Sequence, residues 1–150
     1  MEKLSRSVNQ TLNLGKKIAA HLAGGEIILL SGSLGAGKTV LAKGIAQGLG
    51  IDKHEVVSPS FVLLRVYSGK HLLQHFDLYR LKAVDDIFAL GYQEYLYSNA
   101  VTLIEWPQRL KFLLPKEFLK IKLFAKAKNQ RQIKFTAKGD RYKKLIKEIA

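Results

Sequence analysis

The sequence predicts a three-layer α/β fold: a mixed, mostly parallel sheet with helices on both faces and one β-hairpin. Three observations carry that expectation. Four apolar residues at 27–30 read as a buried strand, run into the glycine-rich turn GSLGAGKT at 32–39, and lead to an amphipathic stretch from Val40 to about Leu49. A second apolar run, VTLIE at 101–105, reads as another buried strand and ends in an acid. Two β-rich runs, 61–67 and 71–77, are joined by Ser68, Gly69 and Lys70, a three-residue connection that favours an antiparallel hairpin.

The turn at 32–39 completes the pattern G-x-x-x-x-G-K-[ST], the Walker A signature of a P-loop NTPase-like fold. Gly32, Gly35 and Gly37 allow the backbone to wrap a polyphosphate in dihedrals that side chains forbid. Lys38 supplies a mobile positive charge for the β- and γ-phosphates, and the Thr39 hydroxyl is a ligand for Mg²⁺. The following helix aims the positive end of its dipole at the same phosphates. Strand, complete motif and helix occurring together imply that the chain binds a nucleoside triphosphate. The guanine-recognition pattern N/T-K-x-D is absent, which favours ATP.

Composition sets the outer limits. A chain of 150 residues with 47% hydrophobic residues suits one domain, residues 1–150, with one core. It has three prolines, no low-complexity run and no repeat of solenoid period. Without cysteine there are no disulfides or thiolate metal sites. No apolar stretch approaches the length of a membrane span, so the expectation is a cytoplasmic protein with no membrane partner. The net charge of +13 is lopsided: residues 1–107 hold 11 Lys and Arg against 9 Asp and Glu, whereas residues 108–150 hold 14 against 3. That block reads either as a solvated lysine-rich surface or as a contact for an acidic partner, nucleic acid foremost.

Taken in order, Ser7 or Asn9 can cap a first helix over about residues 10–22, which Gly24 and Gly25 end. After the P-loop helix, Ser58, Pro59, Ser60 and Phe61 form either an ordinary Ser-Pro turn or the sensing loop that nucleotide switches place here. Short helices are expected over residues 84–90, with Asp85 and Asp86 in the first turn, and over 93–97. Trp106 and Pro107 end the strand at 101–105. Strands at 119–125 and 132–136 follow, turning at Asn129, and a closing helix spans 140–149.

Thr39 alone cannot hold Mg²⁺, so a carboxylate is required. Glu105, at the end of an apolar strand, has the context of a Walker B acid. Asp77 ends a strand of mixed polarity and suits a second role, orienting the metal's water or the attacking water; its bland alternative is a turn acid paired with Arg80. His75 has no accompanying histidine or cysteine pattern and reads as a packed or solvent-facing strand residue.

GSLGAGKT, SPSF, HFDLYRL and EWP, in this order from about Thr11 to Pro107, together resemble the TsaE (YjeE) family of small bacterial P-loop ATPases required for threonylcarbamoyladenosine (t6A) modification of tRNA. The resemblance implies that Leu34, Gly35, Ala36, Gly37, Lys38 and Thr39 line the phosphates. It also implies that Glu105 joins Thr39 in the metal shell and that Asp77 is needed for hydrolysis. Residues 58–61 would then be the first switch loop, with Ser58 at the nucleotide, and 105–107 the second. Nucleobase contacts would come from Val8 to Thr11 and from Asn129 to Arg131. The implied partners are TsaB and TsaD homologues, with tRNA reached through that complex, and ATP hydrolysis would support the turnover of the TsaB–TsaD pair. Ser33 and Ser60 depart from the family's usual Asp and Thr, each keeping a small polar group. No arginine is an obvious finger for the γ-phosphate, Arg80 being the best placed in the sequence, so slow hydrolysis that a partner accelerates is expected. Two other readings remain open at this point: a small-molecule P-loop kinase, and a nucleotide-dependent interaction module without turnover.

Overall fold

The computed structural model describes residues 1–52, 54–57 and 63–150. The Ser58–Phe61 stretch, including the nucleotide contact expected at Ser58, lies outside the described residues. The elements are β1 (Glu2–Ser5), α1 (Val8–Ala19), β2 (Ile27–Ser31), α2 (Lys38–Gly48), β3 (Leu64–Tyr67), β4 (Leu73–Asp77), α3 (Val84–Ala89), α4 (Tyr92–Leu96), β5 (Val101–Glu105), a 3₁₀ segment (Pro107–Leu113), β6 (Phe118–Ala127), β7 (Gln130–Lys138) and α5 (Asp140–Ile149).

All seven strands form one sheet in the order β1-β7-β6-β2-β5-β4-β3. The central four, β6, β2, β5 and β4, run parallel. β3 and β7 are antiparallel to their neighbours, and β1 turns back again beside β7. The sheet is therefore mixed and mostly parallel, with the expected β3–β4 hairpin at one edge.

Alternation along β2 explains the layers. Ile28 and Leu30 face a core built with α1, α2 and α5, whereas Ile27 and Leu29 face a smaller core built with α3, α4 and the 3₁₀ segment. Ser7 caps α1 by accepting from the Gln10 amide at 3.1 Å, so the helix starts two residues earlier than its apolar pattern suggested. α1 and α2 cross at glycine. A Cβ on Gly44 would lie 2.3 Å from the Leu12 carbonyl, and one on Gly15 would lie 2.6 Å from the Leu41 carbonyl. This close approach holds α2, and with it the start of the P-loop helix, against the domain. Among the described residues no helix is long and apolar enough to cross a membrane.

Candidate active site

Parallel register assembles the site. Leu30 of β2 lies beside Glu105 of β5, and Glu105 lies beside Asp77 of β4. The carboxyl ends of three adjacent strands therefore reach the same level, where open α/β sheets bind ligands. The P-loop leaves β2 there and turns through positive φ at Gly35 (75°) and Gly37 (105°), conformations that L side chains rarely adopt. Gly37 then caps α2 without a side chain, leaving the first amides of the helix for an incoming group.

A cleft of about 280 Å³ opens above this platform, lined by Leu34, Gly35, Gly37, Lys38, Thr39, Val40, Asp77, Tyr79, Glu105, Trp106 and Arg131. Asp77 is 5% and Glu105 3% exposed, so two carboxylates are held side by side almost out of water. Lys38, also buried, balances them. Its ammonium donates to the carbonyls of Gly32 at 2.7 Å and Ser33 at 2.9 Å and sits 4.8 Å from the centre of the Trp106 ring. Burial pulls the Lys38 pKa below its ordinary value, and the nearby charges of Glu105 and Asp77 oppose that shift. Tyr79 packs on Trp106 with ring centres 4.9 Å apart, and its amide donates to Asp77 Oδ1 at 3.0 Å, fixing the aspartate rotamer.

His75 is wholly buried one turn of the pleat below Asp77, and its Nε2 donates to Glu105 Oε1 at 3.0 Å. An ionised carboxylate only accepts, so that nitrogen carries the proton, and the imidazole orients Glu105 from beneath. His75 is thus packed, as its context suggested, and also bound to the central acid. No local motif announces this, because the two residues are 30 positions apart. Only the period-two spacing of His75 and Asp77 on one strand hinted that both lie on one face.

Arg131 was expected near a nucleobase. It lines the P-loop cleft as well, with Nη2 donating to the Gly35 carbonyl at 3.3 Å and Nη1 holding carbonyls of the β6–β7 turn, including Ala127 at 3.1 Å. Arg80 is exposed and is not among the residues lining the cleft. A smaller adjoining cavity of about 40 Å³ gathers Ser7, Val8, Thr11, Gly37, Val40, Asn129 and Arg131. The fold thereby brings together the N-terminal segment and the late turn that the resemblance marked for the base. Thr11 is buried and its hydroxyl is hydrogen-bonded to that of Ser5 at 2.8 Å, whereas Val8 is exposed. Ala36 is buried behind the loop, and Leu34 projects outward.

The donor set fits Mg²⁺. Thr39, Asp77 and Glu105 offer only oxygen, the hard donors that Mg²⁺ takes. Among the described residues no group of three His, Cys, Asp or Glu is placed to hold a metal by itself. The ion would accordingly be shared with phosphate oxygens and water, as is usual for Mg²⁺.

A P-loop domain with two buried acids facing its lysine is the class of protein that fold and site define. The chain belongs to the TsaE family. The family model described as "Threonylcarbamoyl adenosine biosynthesis protein TsaE" matches residues 5–133. The chain is 41% identical over 133 residues to the tRNA threonylcarbamoyladenosine biosynthesis protein TsaE of Treponema pallidum, covering 89% of this chain and 98% of that protein. It is 39% identical to the protein of the same name from Bacillus subtilis, covering 97% and 92%. The crystal structure of Bacillus subtilis YdiB superposes with a TM-score of 0.85 at 33% identity, covering 99% of this chain and 93% of that one.

Proposed function

We propose that this protein is the ATP-binding and ATP-hydrolysing subunit of a cytoplasmic t6A-modification machinery, dependent on Mg²⁺ and supporting turnover of a TsaB–TsaD pair. The observation that carries the reading is the strand register that sets Asp77 and Glu105 side by side opposite Lys38 and Thr39. In this reading the P-loop amides and Lys38 hold the β- and γ-phosphates, and Arg131 reaches the loop from the far side. Thr39 and Glu105 would hold Mg²⁺, which neutralises phosphate charge when bound. Asp77, fixed by the Tyr79 amide, orients the attacking water. Val8 and Thr11, which line the adjoining cavity, would contact the base. The names of the relatives support the pathway, and their coverage of nearly the whole chain supports carrying it over.

The test is phosphate release from ATP by the purified protein, alone and with cognate TsaB and TsaD. Slow release alone and stimulation by the pair are expected. ATP binding without turnover in either setting would overturn the hydrolytic reading. Transfer of phosphate to a metabolite would replace it with a kinase.

A further inference from the structure

The two faces of the β1-β7-β6 half of the sheet differ sharply. Leu119, Ile121 and Leu123 of β6, with Ile133 and Phe135 of β7, point into the core under α1, α2 and α5. The alternate residues Lys120, Lys122, Lys134 and Lys138 are all exposed, with Lys120 bordering the 3₁₀ segment beside Pro107, Gln108 and Lys111. Phe124 is exposed on this outer face, whereas Phe118 is buried at its edge in the smaller core with Leu110. The Lys122 ammonium sits 4.9 Å above Phe124, and that of Lys138 sits 5.9 Å above Phe118.

The pairing on this face disfavours a bare solvated surface. Lys122 stands directly opposite Lys134 in the β6–β7 ladder, with Lys120 on the diagonal. Like charges directly opposite one another on one sheet face repel. Lys134 has one carboxylate nearby, Glu2 at 3.8 Å with both side chains about half exposed, which is too solvated to cancel the patch. Among the described residues Lys120, Lys122 and Lys138 have no carboxylate within ion-pair distance. An extended polyanion relieves this repulsion all along the two strands, and a row of lysines beside an exposed ring is chemistry that RNA uses.

We infer that the outer face of β6 and β7 is an RNA-docking surface, with Lys120, Lys122, Lys134 and Lys138 contacting the phosphate backbone. Choosing tRNA as that RNA rests on the function proposed above. The surface lies on the opposite side of the sheet from α2, so RNA here and nucleotide at the P-loop occupy different sites. It accounts for four of the excess cations of residues 108–150 and converts a compositional bias into a face.

The experiment uses the full chain and an unmodified tRNA transcript, with binding followed by fluorescence anisotropy across a salt series. Four phosphate contacts correspond to a loss of roughly 50-fold in affinity between about 50 and 200 mM salt. The variant Lys120→Gln/Lys122→Gln/Lys134→Gln/Lys138→Gln should lose that component and flatten the salt slope by about 3. Its ATP binding should match the wild type, and its thermal unfolding midpoint should be equal or higher because a like-charge pair is gone. Unchanged tRNA binding by the variant overturns the inference, as does absence of tRNA binding by the wild type at low salt. Retention of polyglutamate in place of tRNA overturns it in favour of an acidic protein surface. The function proposed above is read separately, from TsaB–TsaD stimulation of phosphate release by the same variant. Failure of the tRNA-binding outcomes with stimulation intact removes only the surface. The reverse removes only the ATPase assignment.

Discussion

Two buried glutamates lie at opposite ends of the central strands, and they are built differently. Glu26, just before β2, is 2% exposed, and both of its oxygens are used by the chain itself. Oε1 accepts from the Ala23 amide at 2.9 Å and from Arg141, and Oε2 accepts from the Gly24 amide at 2.9 Å. It does not line the cleft of about 390 Å³ beside it. Glu105, at the far end of β5, is 3% exposed, is held among the described residues by His75 through one oxygen, and lines the P-loop cleft next to Asp77. A buried carboxylate whose lone pairs are consumed by its own backbone ties the fold together. One whose remaining lone pairs face a cleft beside a second acid and a lysine is set up for a ligand.

Removing an acid at each end sharpens that contrast. At the cleft, Asp77→Asn keeps the shape and the Tyr79 contact but removes the charge. Hydrolysis should fall by about 100-fold while ATP binding persists and stability holds or rises, since two adjacent buried acids repel. Phosphate release and nucleotide titration measure both effects, and unchanged turnover would remove Asp77 from the proposed chemistry. At the other end, Glu26→Ala strands two amides and leaves Arg141 with the Gly24 carbonyl but without its carboxylate. The expected cost is about 2 kcal/mol in a denaturant titration, with unaltered hydrolysis per folded molecule.

The smallest effect is in alkali, where the two ends should respond with opposite sign. Tyr142, whose hydroxyl accepts from the Ile27 amide at 2.8 Å beside Glu26, has its pKa raised above 10.0 chiefly by burial, as does Tyr92. Both phenols stay protonated in the fold while the unfolded chain ionises, so their stability is present below about pH 10 and is lost as pH rises through the raised values. Lys38 is depressed by burial, so the unfolded chain binds the extra proton below 10.5 and stability rises with pH in that window. Thermal midpoints between neutrality and about pH 11 should fall less steeply for Tyr92→Phe/Tyr142→Phe and more steeply for Lys38→Met.

What was legible in the sequence was whatever short-range chemistry dictates. GSLGAGKT specifies a strand-turn-helix because only glycine accepts its dihedrals. α5 occupies 140–149 as its charge and apolar pattern indicate, and the β3–β4 hairpin forms as expected, although its connection, 68–72, has five residues instead of three because β4 begins two residues later than its pattern suggested. β1 escaped notice because Glu2–Ser5 is too short to show a period, and its hydrogen bonds come from β7, more than a hundred residues away. The 3₁₀ segment Pro107–Leu113 follows Trp106, whose left-handed backbone (φ 57°) no local rule requires of tryptophan. Arg131 could be marked for a nucleobase by resemblance, but its grip on Gly35 depends on β6 pairing with β2, which swings the β6–β7 turn over the P-loop.

The residues of the proposed nucleotide site were therefore legible in the sequence alone: Lys38, Thr39, Asp77 and Glu105, each at the end of a recognisable element. Tertiary structure decided which of them meet, which histidine supports Glu105, and which face of the basic block stays open. Those outcomes depend on strand order and register, because neighbours in a sheet are chosen by long-range pairing and by burial on two faces at once. No window along the chain contains that information.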